Sequence, residues 1–258
     1  MRSDFKTIIN ADDLGYDIAI NKAILESFRR SLITRASLMV NMSGFEDAIH
    51  LIQTHPFLPG NIGLHLNLTE GYPLTEAIRN CSRFCDASGR FIYKRQNSLF
   101  FLSRREKKAV YQEIKAQIEK AIHAGVLLSH LDSHHHVHTE WAILRLSIRL
   151  GKEYNVRNIR KARNMGREPS PLKMVYKSFL NRYLKNYPGI TVTDYFGDTD
   201  DLALLLKKGV PVNRSIEIMV HPKFDDNQEL VDLDGKNLQQ KLDPLLEPRP
   251  PVAHIDDL

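Results

Sequence analysis

VLLSHLDSHHHVH (126–138) begins as an apolar run and ends with four histidines in five positions. Its first half, VLLSHL (126–131), reads as a strand, and the polar residues gather where that strand stops. Imidazoles are costly to cluster, because their ring nitrogens need partners or a metal. Three other runs end the same way: TIIN (7–10) leads to Asp12-Asp13, NIGL (61–64) to His65, and IEIMV (216–220) to His221-Pro222. In a parallel βα architecture the C-terminal strand ends share one face, where active sites assemble. Residues far apart in sequence then meet without any local motif.

The rest of the chain fits that reading, with short β-rich runs alternating with helical patterns. FKTIIN (5–10), ASLMVN (36–41), NIGLHLNL (61–68) and SIEIMV (215–220) are predicted strands. VRNIR (156–160) and GITVTDYF (189–196) are predicted to be extended. Asp17 can cap a helix whose Ile20, Ala23, Ile24 and Phe28 share a face. Further helices are expected near 44–54, 105–124, 140–151, 171–186, 199–208 and 235–246. Val110, Ile114, Ile118, Ala121 and Ile122 give the 105–124 helix its three- and four-residue spacing, and Gly125 stops it. Residues 72–104 read as irregular, and EPRPPVAHI (247–255) leaves room only for a short edge strand. No repeat or long linker divides the chain, so 1–258 is expected to be one domain.

Composition narrows the function. Met1–Asp4 lacks a signal-peptide pattern and no run reaches the length of a membrane helix, which predicts a soluble, cytoplasmic protein with no membrane-spanning segment. Cys81 and Cys85 cannot complete a four-ligand zinc site, and no histidine lies near them, so two reduced thiols are expected. The net charge of +5 is local. Arg157, Arg160, Lys161, Arg163 and Arg167 contain no acid among them, and Lys94 to Lys108 holds six bases against Glu106. Neither run interleaves aromatic residues as a nucleic-acid surface would, so no nucleic-acid partner is expected. Solvated loops bordering a cleft are the predicted role.

Each polar group has an ordinary meaning when taken alone. Asp12-Asp13 could form a turn and a cap, and His65 or His221 could be a hydrogen-bonded histidine. Together with His134 and His138, at i and i+4, they favour a divalent cation. Not all the imidazoles can bind one ion, so some must support the ligands or touch substrate. An Asp with two histidines leaves coordination positions open, the form of a catalytic site, and hydrolysis follows naturally.

NADDLGYD (10–17), GLHLNLTEG (63–71), HLDSHHHVH (130–138) and EIMVHP (217–222) together resemble the YdjC/ChbG-like carbohydrate deacetylase family. FCDASGRF (84–91) resembles that family's loop after the third strand. The resemblance implies an α/β, (β/α)-barrel-like fold: a distorted TIM-type barrel with parallel strands. It also implies removal of N-acetyl groups from amino sugars, such as chitooligosaccharides, with one divalent metal, usually Mg2+; two imidazoles would suit Zn2+ or another transition metal. Carried over by position, Asp13, His65 and His134 become metal ligands, Asp12 the base and His221 the acid for the leaving amine. His138, Asp132 and Glu217 are expected to contact substrate or support these groups. A homodimer is compatible, although the tail after Pro222 lacks the family's Arg-x-x-Glu-Leu stretch. The alternatives are a metal-dependent phosphoesterase, which the basic loops would suit, and a non-catalytic, metal-dependent sugar-binding module.

Overall fold

A computed structural model describes residues 6–92, 101–167, 170–209 and 213–246. β1 (Lys6–Leu14), β2 (Arg35–Leu38), β3 (Ile62–Leu66), β4 (Leu131–Ser133), β5 (Tyr195–Gly197) and β6 (Ser215–Val220) form one sheet. Its order is β4-β3-β2-β1-β6-β5, and every pairing is parallel. Isolated parallel bridges, Leu131 to Ile159 and Asn158 to Thr191, carry the β4 edge towards the segment that enters β5. The sheet therefore curls towards closure, as expected for a barrel-like α/β fold.

Strand alternation separates two kinds of interior. Ile9, Ala11, Ala36, Leu38, Ile62, Leu64, Leu131, Ile216 and Ile218 are all buried. They alternate with Asn10, Asp12, Ser37, His65, Asp132 and Glu217, as the two-residue period of a strand requires. Fully burying a Leu or Ile is worth about 1.5–3 kcal/mol, so the apolar set supplies adhesion to the helices. The polar set lines the curl and must be hydrogen-bonded to be tolerated there.

The helices are α1 (Ile18–Arg29), α2 (Phe45–Thr54), α3 (Glu76–Arg79), α4 (Arg104–His123), α5 (Trp141–Glu153), α6 (Pro171–Lys185) and α7 (Thr199–Lys208). Asp17 caps α1, its carboxylate accepting from the Ile20 amide at 2.8 Å. Ser103 and Glu106 form a reciprocal capping box at the start of α4. Ile114, Ile118 and Ala121 are fully buried, as the α4 spacing predicts, whereas Ile122 is exposed.

Several elements differ from the sequence reading. The strand expected at 126–131 is confined to Leu131–Ser133, and residues 126–130 approach β3 only through bonds such as Ser129 N to Ile62 O. Residues 156–160 make bridges but no strand, and the extended run at 189–196 becomes regular only at Tyr195–Gly197. The irregular stretch from 72 contains α3. After Pro222 the chain forms an antiparallel hairpin, β7 (Lys223–Phe224) with β8 (Leu230–Val231), then α8 (Leu238–Leu246). The edge strand expected at 247–255 and residues 94–100 of the basic run from Lys94 lie outside the described residues, while Arg104, Arg105, Lys107 and Lys108 are exposed on the first turns of α4. Cys81 and Cys85 are free thiols. No described helix is long and apolar enough to cross a membrane.

Candidate metal centre

The site begins with an irregularity in β1. The register to β2 advances three residues from Ala11 to Leu14 against two from Ala36 to Leu38, so β1 holds one extra residue at the aspartates. In a regular strand Asp12 and Asp13 would point to opposite faces. A bulge re-aims side chains, and Asp13 adopts φ 72°, a left-handed conformation that Asp tolerates better than most residues. Gly15 completes the turn at φ 87°, where a Cβ would lie 2.5 Å from the Met39 carbonyl oxygen. Backbone geometry thus directs both carboxylates into one site.

Asp13, His65 and His134 offer ligand atoms that all lie within 4.8 Å of one another. Asp13 Oδ1 is 3.1 Å from His65 Nε2 and 2.9 Å from His134 Nδ1. The remaining nitrogen of each ring meets another carboxylate: His65 Nδ1 lies 2.8 Å from Asp132 Oδ1, and His134 Nε2 lies 3.0 Å from Glu70 Oε2. Carboxylates placed behind histidines in this way orient metal ligands and raise their basicity. Glu70 is itself held by the Tyr16 hydroxyl, which donates to Oε1 at 2.8 Å.

Electrostatics supports the fit. Burial pulls the His65 pKa down, but Asp132 and Asp12 outweigh it and raise the value to about 10. Burial raises Asp13, while hydrogen bonds from His134 and His65 hold it well below the usual carboxylate range. A field that favours a proton on His65 favours a cation in its place. These residues suit a divalent ion. A second acidic set, Asp12 with His65 and Asp132, also converges, but a guanidinium already neutralises its two carboxylates.

That guanidinium belongs to Arg160, which is 2 % exposed. Its Nε donates to Glu217 at 2.5 Å, Nη1 to Asp12 Oδ2 and Nη2 to Asp12 Oδ1, both at 2.7 Å, and Nη2 also pairs with Asp132 Oδ2 at 2.7 Å. The carbon of the head group lies 4.8 Å over the Phe196 ring. Burial would raise Asp12, yet Arg160 brings its pKa below the usual value; Glu217, with burial dominant, stays raised.

The expectation of solvated basic loops is therefore corrected for Arg160, Lys161 and Arg163, whereas Arg157 and Arg167 are exposed. Arg160 is the hub of the polar interior, and Lys161 is buried with its ammonium donating to the Asp194 carbonyl at 2.7 Å. Arg163 pairs with Asp198, the N-cap of α7, and with Asp201 on its first turn. A charge run is solvated only if its side chains reach water. Here internal carboxylates answer two of these cations, and those partners are distant in sequence.

The histidine block also divides. His134 begins a 3₁₀ turn, His134–Thr139, which is broken by positive φ at His135 and His136. His134 and His138, four residues apart, consequently diverge. His138 is fully buried, with Nδ1 2.5 Å from Ser133 Oγ and Nε2 3.0 Å from the Arg160 carbonyl. It braces the Arg160 backbone and does not reach the metal donors. Asp132 and Glu217 reach the centre through His65 and Arg160. His221 lies at the rim, Nε2 4.0 Å from Asp12 Oδ2. Its amide is anchored by Asp232 just after β8, whose other oxygen takes the Lys241 ammonium at 2.6 Å. The hairpin after Pro222 thus completes this side of the site.

The fold and site together define an α/β barrel-like protein with a strand-end cluster whose side chains could hold a divalent cation. Residues 6–250 match the family model described as YdjC-like protein, and the chain belongs to that family. It is 34 % identical over 245 residues to a carbohydrate deacetylase of Vibrio parahaemolyticus serotype O3:K6 (strain RIMD 2210633), covering 92 % of this chain and 86 % of that protein. A 41 % identical match to a carbohydrate deacetylase of Brevibacillus brevis spans 151 residues, 58 % of this chain and 57 % of that one. A crystal structure from Enterococcus faecalis V583, described as a cellobiose-phosphate cleavage protein, superposes with a TM-score of 0.74. It is 25 % identical, and the match covers 98 % of each chain.

Replacing His65 by Ala should abolish divalent-metal binding, measured by elemental analysis and titration of the chelator-treated protein, with circular dichroism reporting the fold. Asp13→Asn should weaken binding without emptying the polar interior. Unchanged stoichiometry in both variants would sink this ligand assignment.

Proposed function

We propose that the protein is a metal-dependent carbohydrate N-deacetylase that hydrolyses the acetamide of N-acetylated amino sugars to acetate and a free amine. The observation that carries the reading is Asp12, an ionised carboxylate in the bulge beside Asp13 and 4.0 Å from a rim histidine. A base, an acid and a cation-binding set thus share one strand-end face. The choice of an N-acetyl sugar rests on the relatives, which are named carbohydrate deacetylases.

Asp13, His65 and His134 would hold the cation. When bound, a divalent ion supplies Lewis acidity towards the acetyl carbonyl and makes nearby water easier to deprotonate. Mg2+ is the family expectation, and the two imidazoles make Zn2+ or another transition ion a good match. Asp12, kept anionic by Arg160, accepts the proton of the water that attacks the carbonyl carbon. His221 donates a proton to the nitrogen as the carbon–nitrogen bond breaks, because an amine is a poor leaving group without one. Asp132, Glu217 and Arg160 keep Asp12 and His65 oriented throughout. The phosphoesterase alternative would have to draw on exposed cations such as Arg157 and Arg167, since Arg160, Lys161 and Arg163 are engaged by partners within the protein.

The test is acetate release from N-acetylglucosamine oligomers by chelator-treated protein, with and without added Mg2+ or Zn2+. Metal-restored acetate release is the expected result. Phosphate release from sugar phosphates, or sugar binding without turnover, would replace this reading. The acid assignment has a separate consequence. His221→Ala should lower amide hydrolysis by roughly 10²–10⁴-fold, while hydrolysis of an activated acetate ester, whose leaving group needs no proton, falls far less. Equal losses on both substrates would remove His221 from that role. His138 could not inherit it, because both its ring nitrogens are engaged in the interior.

A further inference from the structure

Outside the barrel, α6 presents an unusual outer surface. Of its fifteen residues only Leu180 and Leu184 are buried. Leu172, Val175 and Phe179 stand 80 %, 63 % and 51 % exposed. Their i, i+3, i+7 spacing aligns them in one stripe along the helix. Phe179 meets the Trp141 ring at 5.2 Å, and Trp141 meets Tyr183 at 4.9 Å, so the stripe runs on into a groove towards α5.

That groove encloses about 580 Å³ and is lined by Lys107, Arg145, Arg149 and Lys152, with no carboxylate among the described lining residues. Arg145 lies 5.8 Å over the Trp141 ring, and Lys152 lies 5.4 Å over Tyr187. Cations stacked on rings beside protruding aliphatic side chains combine two attractions, one for negative charge and one for hydrocarbon.

We propose that this face docks on an anionic lipid surface. Interfacial helices bury Leu and Phe side chains at the headgroup boundary, with Trp and Tyr alongside and Lys and Arg against anionic headgroups. A second copy of the chain is a poor occupant: a two-fold contact sets the same patch against itself, bringing like charges together. A soluble polyanion would engage the cations and rings but would leave Leu172 and Val175 in water. The patch also adjoins the strand-end face. The Tyr176 hydroxyl on α6 accepts from the Trp141 amide and donates to the Thr139 carbonyl, at the end of the histidine turn.

Co-sedimentation of the complete protein with vesicles tests the proposal. Binding is expected to vesicles of phosphatidylcholine with one-third phosphatidylserine, and not to phosphatidylcholine alone. The pair R145E/R149E should lower partitioning at least tenfold, since each cation contributes about fivefold. L172D/F179D should lower it comparably. Lys22→Glu, an exposed charge change on α1, should matter much less. Hydrolysis of a soluble sugar should be unchanged in all of these variants. Three results would overturn the proposal. One is absence of binding to anionic vesicles at low salt. Another is binding to heparin or an oligonucleotide at this face but not to vesicles. The third is a dimer by light scattering that L172D/F179D dissociates.

Discussion

Arg160→Met should cost about 3–5 kcal/mol of folding free energy, the loss typical when one partner of a buried ion pair is removed. The guanidinium serves three carboxylates at once, Asp12, Asp132 and Glu217, and each is buried. Methionine approximates the volume of the side chain but leaves those acids facing one another without a counter-charge. They would then take up protons or admit water, and the His65–Asp132 contact would loosen with them. Arg160→Lys should fall between the two, because an ammonium keeps the charge but lacks the planar fork that holds both oxygens of Asp12. Urea unfolding monitored by circular dichroism gives the comparison. A loss below about 1 kcal/mol, as expected for a solvent-exposed ion pair, would show that Arg160 is not the hub of the interior.

Arg160 is also where the sequence was least readable. Arg157, Arg160, Lys161, Arg163 and Arg167 look alike as a charge run, and nothing local reveals that Arg160 faces inward. Its partners lie on β1, β4 and β6, up to 148 residues away. Only the strand alternation that buries Ile159 on one side could have suggested that its neighbours turn to the other. Asp12 and Asp13 are legible for the opposite reason, since TIIN-Ala-Asp-Asp is a strand followed at once by two carboxylates. Even there, only the bulge and the positive φ of Asp13 explain how adjacent residues serve one site.

Helix signals with a local cause held up well. Asp17 and the hydrophobic spacing of α4 depend on contacts within a few residues, so pattern and structure agree. β6 matches its predicted bounds, but β4 and β5 are harder, because they are three residues each and too short for alternation to mark their ends. The spacing of His134 and His138 alone does not say whether both reach one ion. His135 and His136 adopt φ 52° and 57°, which breaks the turn and sends His138 towards Ser133. Glu70 was passed over because a single acid in LNLTEG carries no signal until His134 is brought beside it.

Asp12→Asn should leave metal stoichiometry unchanged and lower kcat by roughly 10²–10⁴-fold, the range for loss of a general base. The proposed cation donors are Asp13, His65 and His134, and the substitution replaces none of them. Arg160 donates to both oxygens of Asp12, so the asparagine amide can satisfy only one of those bonds; its NH2 group would face another donor. The variant should therefore be less stable, and rates must be compared at temperatures where it is fully folded. Substrate choice then separates base from acid. Removing the base should slow the amide and the activated ester alike, because both need a proton taken from the attacking water. Removing His221 should spare the ester. If Asp12→Asn lost less than tenfold, or lost the ester rate no more than His221→Ala does, the two residues would not divide the proton transfers in this way. Loss of metal from Asp12→Asn would point elsewhere, to an ion drawn into the second acidic set once Arg160 no longer answers a charged partner there.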